Sequence, residues 1–125
     1  MRTARMGVPG LEVSRVALGT AQAAGSWGTI DASATRAAIR YAYDAGITTF
    51  DTAQVYGDSE CLLGQALDGP LQDDRERIVI STKGGIAPGT DQPRRGDASF
   101  LREGLHQSLR RLGVDYVDLD RRAHV

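Results

Sequence analysis

The chain has little of several things that would otherwise direct its reading. Among 125 residues there is a single cysteine, Cys61, so no internal disulfide and no cysteine-built metal cluster can form. No apolar run approaches the ~18 residues of a membrane span, and the opening MRTARMGVPG lacks the apolar core of a secretory signal. Charge of one sign is missing too: 15 Lys plus Arg stand against 16 Asp plus Glu, for a net charge of −1. That balance excludes a nucleic-acid or membrane-surface role driven by bulk charge. There is no internal repeat and no low-complexity segment. The expectation is a cytoplasmic protein forming one structural unit over residues 1–125, with no metal, nucleic-acid or membrane partner.

What is present is an alternation of strands and helices. LEVSRVALGTAQ reads as a hairpin or strand leading into a first core strand that ends at Gly19. A loop with the only tryptophan, Trp27, follows, and Asp31 or Ser33 then caps a helix whose apolar face is Ala34, Ala38, Tyr41, Ala42 and Ala45. ITTF is a second strand ending at Asp51. SECLLGQAL is a short helix with Ser59 as its cap, stopped by Gly69-Pro70. RIVIST is a continuous apolar strand of the kind covered on both faces, and it ends at Lys83. After the loop GGIAPGTDQPRRGDA comes a helix from about Ser99 to Leu112 with Leu101, Leu105, Leu109 and Leu112 on one side; DYVDL is the fourth strand. Such an order implies a parallel sheet with crossover helices.

In βα units of a barrel, the C-terminal ends of the strands face one side, and that side carries the chemistry. Asp51 and Lys83 end adjacent strands, which lie ~4.8 Å apart, and Tyr56 follows Asp51 in the next loop beside Gly57. A phenol is a poor proton donor at neutral pH. A close ammonium favours the phenolate and lowers its pKa by about 1–3 units, and a carboxylate holds that ammonium charged and oriented. The trio therefore reads either as a general acid for a carbonyl oxygen or as a structural ion pair with a packing tyrosine.

At these residues the sequence resembles the N-terminal part of an aldo/keto reductase. AGITTFDTAQVYGDSECLLGQAL carries Gly46, Phe50-Asp51-Thr52-Ala53, Tyr56-Gly57, Ser59-Glu60, Leu63-Gly64 and Leu67 of the family signature; GLEVSRVALGTAQ, VISTKGG and LREGLHQSLRRLGVDYVDL resemble the flanking segments, from about Leu11 to Leu119. The spacing of Tyr56 and the loop beginning AAGSWG look closest to the bacterial and potassium-channel-subunit branch. The resemblance implies the N-terminal half of a (β/α)8 TIM barrel, with an N-terminal hairpin, about four parallel strands and three helices. It implies an NADPH-dependent oxidoreductase that reduces small aldehydes or ketones by hydride transfer. On that pattern Tyr56 is the proton donor and binds substrate, Lys83 tunes it, Asp51 pairs with Lys83, and Gly19, Thr20, Gln22 and Asp51 lie at the cofactor. Trp27 walls the substrate pocket or simply anchors its loop.

Two departures qualify the resemblance. A full barrel takes roughly 250 residues, so most of the family's cofactor-binding residues would lie beyond four strands, and no GxGxxG or P-loop replaces them. The chain is therefore expected to look truncated and to turn over weakly or not at all, or to serve as a non-catalytic interaction module. Its uncovered sheet face is expected to self-associate. The tail YVDLDRRAHV also departs. The family's catalytic histidine should fall at position 123, where Ala123 stands; His124 is one place late, and His106 lies on a helix off the leucine face. A shift of one residue reverses the side a strand residue faces. With Asp120, Arg121 and Arg122 putting charge where a core strand should be apolar, residues 120–125 are expected to be foreign to the fold.

Overall fold

The computed structural model describes residues 1–7 and 10–123. An antiparallel hairpin of β1 (Thr3–Met6) and β2 (Leu11–Ser14) precedes β3 (Ala17–Gly19) and a 3-10 turn at Ala21–Ala24. Then come α1 (Ala32–Asp44), β4 (Thr49–Asp51), α2 (Ser59–Ala66), α3 (Asp68–Asp73), a second 3-10 turn at Arg75–Arg77, β5 (Val79–Gly84), α4 (Ala98–Leu112) and β6 (Leu119–Arg122). Strands β3, β4, β5 and β6 form one parallel sheet in that order. This is the expected half barrel with its hairpin, which packs at the N-terminal end of the strands: Ser14 N–H donates to Thr49 Oγ1 at 3.0 Å.

Register separates the two faces of the sheet. Leu18, Phe50 and Ile80 stand level and point to the helices, where they join Ile39, Leu63, Leu67, Leu71, Ile78 and Leu112 in one core. The alternate residues, among them Ala17, Asp51, Ser81, Lys83 and Arg121, face the concave side. Its lower part is an apolar cavity of about 660 Å³ lined by Met6, Leu11, Ala17 and Leu119 among others.

Three elements differ from the sequence reading. The buried stripe of α1 is Ile39 and Ala42; Ala34, Ala38 and Ala45 are exposed, and Tyr41 is 78% exposed. The expected stripe counted alanines, each with little surface to bury, and Ile39 outweighs them in orienting the helix. Gly69-Pro70 does not return the chain to coil: both lie in the first turn of α3, where a proline's missing N–H has no intrahelical partner to lose.

The fourth strand is not Asp115–Leu119 but Leu119–Arg122. The preceding residues are held by Arg75, whose guanidinium stacks 3.9 Å from the Tyr116 ring and donates to Tyr116 O at 2.8 Å and Asp118 Oδ2 at 2.9 Å. Asp120, Arg121 and Arg122, expected to be foreign to the fold, pair with Thr82, Lys83 and Gly84. Their charge is tolerated because this end of the sheet opens to solvent and none of the three residues is buried outright. His124 lies outside the described residues.

Candidate functional site

The loop after β4 continues the ladder: Thr52 N–H donates to Ser81 O at 2.8 Å and Gln54 N–H to Lys83 O at 3.1 Å. This carries Tyr56 alongside the end of β5. Gly57 completes the turn with φ +54°, a left-handed conformation that favours glycine, although a Cβ there would make only ordinary contact with Ala23 O and Ala24 Cα at 3.4 Å.

Asp51, Tyr56 and Lys83 meet at the mouth of the sheet. Lys83 Nζ lies 2.5 Å from Asp51 Oδ2, 3.0 Å from Thr52 O and 3.4 Å from Tyr56 Oη, and 4.8 Å from the centre of the tyrosine ring. An ammonium has three N–H bonds, and here each has one acceptor. Because Tyr56 Oη accepts from the lysine, its own O–H remains free to donate outward. Tyr56 and Lys83 border a cavity of about 480 Å³ together with Arg121 and Arg122.

The other residues singled out in the sequence divide. Gly19 ends β3 with open space where a side chain would stand, and Gln22 is exposed on the 3-10 turn. Thr20 is buried, with its N–H and hydroxyl both directed to Asp51 O at 2.9 and 3.0 Å. It thereby anchors the backbone of Asp51. Trp27 is 75% exposed and is not among the residues bordering the Tyr56 cavity. Ala123 is buried at the position where the histidine was sought, and His106 is exposed on α4.

Three groups escaped the sequence reading. Arg121 reaches back from β6 to Asp51 Oδ1 and donates through Nε to Ser81 Oγ at 3.0 Å, so both oxygens of Asp51 hold a cation. The signal was available in the register, since Arg121 pairs with Lys83 and must share its face. Ser59 is not the cap of α2, which starts at Ser59 after Asp58 with no side-chain cap. Its hydroxyl lies between Thr20 Oγ1 at 2.5 Å and Thr52 Oγ1 at 2.8 Å, tying the ends of β3 and β4 to the start of α2. Glu60, 1% exposed, accepts from Thr82 Oγ1 at 2.7 Å and lies 3.5 Å from Arg111 Nη1. Among the described residues, no three of His, Cys, Asp or Glu gather where a metal could bind, and no helix is long and apolar enough to cross a membrane.

The aldo/keto reductase family model matches residues 15–120. A Schizosaccharomyces pombe protein named as a voltage-gated potassium channel subunit beta is 41% identical over 118 residues, which is 91% of this chain and 34% of that protein. A Glycine max protein named as aldo-keto reductase 1 is 38% identical over 120 residues, 92% of this chain and 34% of that protein. The chain thus spans about a third of the length of these curated relatives. Among solved structures, the holo form of aldo-keto reductase AKR11C1 from Bacillus halodurans superposes with a TM-score of 0.78 at 30% identity, covering 96% of this chain and 39% of that one. The matched segment contains Asp51, Tyr56 and Lys83, and on the match over most of its length the chain belongs to the aldo/keto reductase family.

Proposed function

We propose that the chain carries the proton-donating side of an NADPH-dependent carbonyl reduction, with Tyr56 as the acid. The observation that carries this reading is the three-way bonding of Lys83 Nζ, to Asp51, Thr52 O and Tyr56 Oη. Because the lysine donates to the phenol, the Tyr56 O–H points away from it and toward the cavity, where an aldehyde or ketone oxygen would accept. As that proton leaves, negative charge grows on Oη beside an ammonium fixed in place, which needs no reorganisation to stabilise it. Asp51 and Thr52 O keep the ammonium from swinging to solvent. Gly19, with its open surroundings, and the exposed amide of Gln22 suit the nicotinamide end of the cofactor; the Thr20 hydroxyl is turned inward and serves Asp51 instead. NADPH, when bound, would supply the hydride.

The test is to follow NADPH fluorescence on mixing with the protein and then its absorbance after adding an aldehyde. Tyr56→Phe should keep cofactor binding and lose about 10²–10⁴-fold in rate. Equal consumption by wild type and Tyr56→Phe would remove the tyrosine from the reaction.

A second reading is favoured by the sheet itself, whose outer strands β3 and β6 have no further strand beside them among the described residues. On this reading the chain is an interaction module; the name of the Schizosaccharomyces pombe relative makes that protein a channel subunit. Absence of both cofactor binding and aldehyde consumption would favour it.

A further inference from the structure

Lys83 is the only lysine in the chain, and what holds it in place runs back to one serine. Thr52 O is the backbone acceptor of its ammonium, at 3.0 Å. Thr52 is itself fixed at two points: its N–H donates to Ser81 O at 2.8 Å, and its hydroxyl meets Ser59 Oγ at 2.8 Å. Ser59 also donates its backbone N–H to Tyr56 O at 3.0 Å. One residue at the start of α2 therefore grips both the turn that carries the phenol and the residue that seats the ammonium.

The protons of these hydroxyls can be placed. Thr20 Oγ1 lies 3.0 Å from Asp51 O, and a carbonyl only accepts, so the single O–H of Thr20 donates there. The 2.5 Å contact between Thr20 Oγ1 and Ser59 Oγ must then take its proton from Ser59. With that proton committed, Thr52 Oγ1 is the donor to Ser59 Oγ. The chain runs one way, from Thr52 to Ser59 to Thr20 to Asp51 O, and bonds aligned in this sense polarise one another in a buried setting. All three residues are buried, so none can turn to water for a substitute partner. Alanine at position 59 would leave the Thr52 O–H without its acceptor and Thr20 Oγ1 without its donor. The adjoining Glu60 accepts from Thr82 Oγ1 at 2.7 Å, so the same first turn of α2 also holds the residue next to Lys83 on β5.

We infer that Ser59 is a positioning residue for the Tyr56 acid. It acts through its neighbours rather than on a substrate: its side chain sets Thr52, and through Thr52 O the Lys83 ammonium, while its N–H sets the turn that brings Tyr56 to that ammonium. The inference rests on the reading of Tyr56 as proton donor and deepens it by naming what aligns the pair. With Thr52 held at its N–H and hydroxyl, and with Gln54 N–H bound to Lys83 O at 3.1 Å beyond it, the Thr52 carbonyl has little room to swing. Released from Ser59, that carbonyl would lose part of its hold on Lys83 Nζ, and the ammonium would move toward water and away from Tyr56 Oη.

Because the chain has one lysine, ¹⁵N-lysine labelling gives a single ammonium resonance, and its proton exchange with water reports the seat of Lys83 without cofactor or turnover. Ser59→Ala should speed that exchange by about tenfold, the equivalent of one weakened hydrogen bond to a charged group. Thr52→Val, nearly the same shape without the hydroxyl, should do the same, and Thr52→Ser, which keeps the hydroxyl, should restore slow exchange. Ile39→Val, which trims the core on α1, should lower the melting temperature and leave the exchange unchanged, so alignment is separated from general loss of stability. In NADPH-dependent aldehyde reduction, Ser59→Ala should lower kcat by about tenfold at unchanged KM, less than Tyr56→Phe does. Exchange no faster in Ser59→Ala and Thr52→Val than in wild type would overturn the inference, whatever Tyr56→Phe does. So would Ile39→Val speeding the exchange as much as they do. Faster exchange in both, with equal aldehyde consumption by wild type and Tyr56→Phe, would keep Ser59 as the residue that seats Lys83 and remove the tyrosine from the reaction.

Discussion

Asp120 is a carboxylate in an unfavourable place. It pairs in register with Thr82, whose hydroxyl bonds Glu60, so it lies on the helix side of the sheet near that buried acid. Partial desolvation of a residue that still meets solvent comes first, and the Glu60 carboxylate second, in pushing its pKa above the ordinary aspartate value. A folded-state pKa above the unfolded one means that the folded chain holds the proton more tightly. Asp120 is therefore least harmful at pH below the unfolded value of 3.8, and stability falls as pH rises from there through the raised folded value. Asp120→Asn should accordingly raise the melting temperature at pH 7, with the gain shrinking toward zero near pH 3, where both states are protonated. Thermal melts at the two pH values decide it; an equal shift at both, or a loss at pH 7, would contradict the assignment. At this scale the sequence was most legible in the meeting of Asp51, Tyr56 and Lys83, which their places at strand ends and in the following loop foretold. It was silent on Ser59 and Arg121, because their roles depend on partners 39 and 70 positions away. A serine at the start of a helix looks like a cap until a threonine from another strand is known to face it.

The elements are set against each other by one close approach. Gly64 on α2 faces the C-terminal end of α4, and a Cβ built on it would lie 2.4 Å from the carbonyl oxygen of Leu112. The obstacle is backbone, so it cannot rotate aside. Alanine would gain ~1 kcal/mol of helix propensity over glycine, but the helices would have to part, and overpacking of this kind costs about 1–3 kcal/mol, occasionally more. The backbone clash places Gly64→Ala toward the upper end, so a net loss of about 1–2 kcal/mol is expected, read as a lower urea midpoint. A midpoint unchanged or raised would show that α2 and α4 are not held this closely. Because α2 also carries Ser59 and Glu60 beneath β4 and β5, the same variant should loosen the loop that positions Tyr56. Strand and helix identities were readable from hydrophobic period and from stops such as Gly113, which does cap α4. The limits of β6 were not, since the apolar look of DYVDL belongs to a segment that Arg75 holds against its stack with Tyr116, and the strand begins only after it. The face of α1 failed for a related reason: spacing alone cannot say that one isoleucine outweighs several alanines.

At the scale of the whole molecule, the four-stranded sheet poses a problem that a closed barrel does not have. A (β/α)8 barrel joins its first and last strands, whereas β3 and β6 here end the sheet with backbone groups that no further strand meets among the described residues. The concave face adds apolar surface around a cavity of about 660 Å³ near the hairpin, from Met6, Leu11, Ala17 and Leu119, before turning polar at Asp51, Lys83 and Arg121. Edges and apolar surface of this kind invite a partner. We propose a second copy as that partner: a two-fold axis along the barrel axis would bring β6 of one chain beside β3 of the other and supply eight strands from two sets of four. A net charge of −1 offers little bulk repulsion to oppose this. Light scattering on a size-exclusion column should therefore show a mass rising with concentration from the 13.4 kDa of one chain toward twice that value. Leu119→Lys, which places a charge on the concave face of the edge strand β6, should shift the transition to higher concentration by about tenfold or more, given the ~1.5–3 kcal/mol for burying a leucine and the 1.4 kcal/mol per decade of affinity. A constant single-chain mass up to several hundred micromolar would show that the edges are protected in solution and that the sheet stands without a second copy.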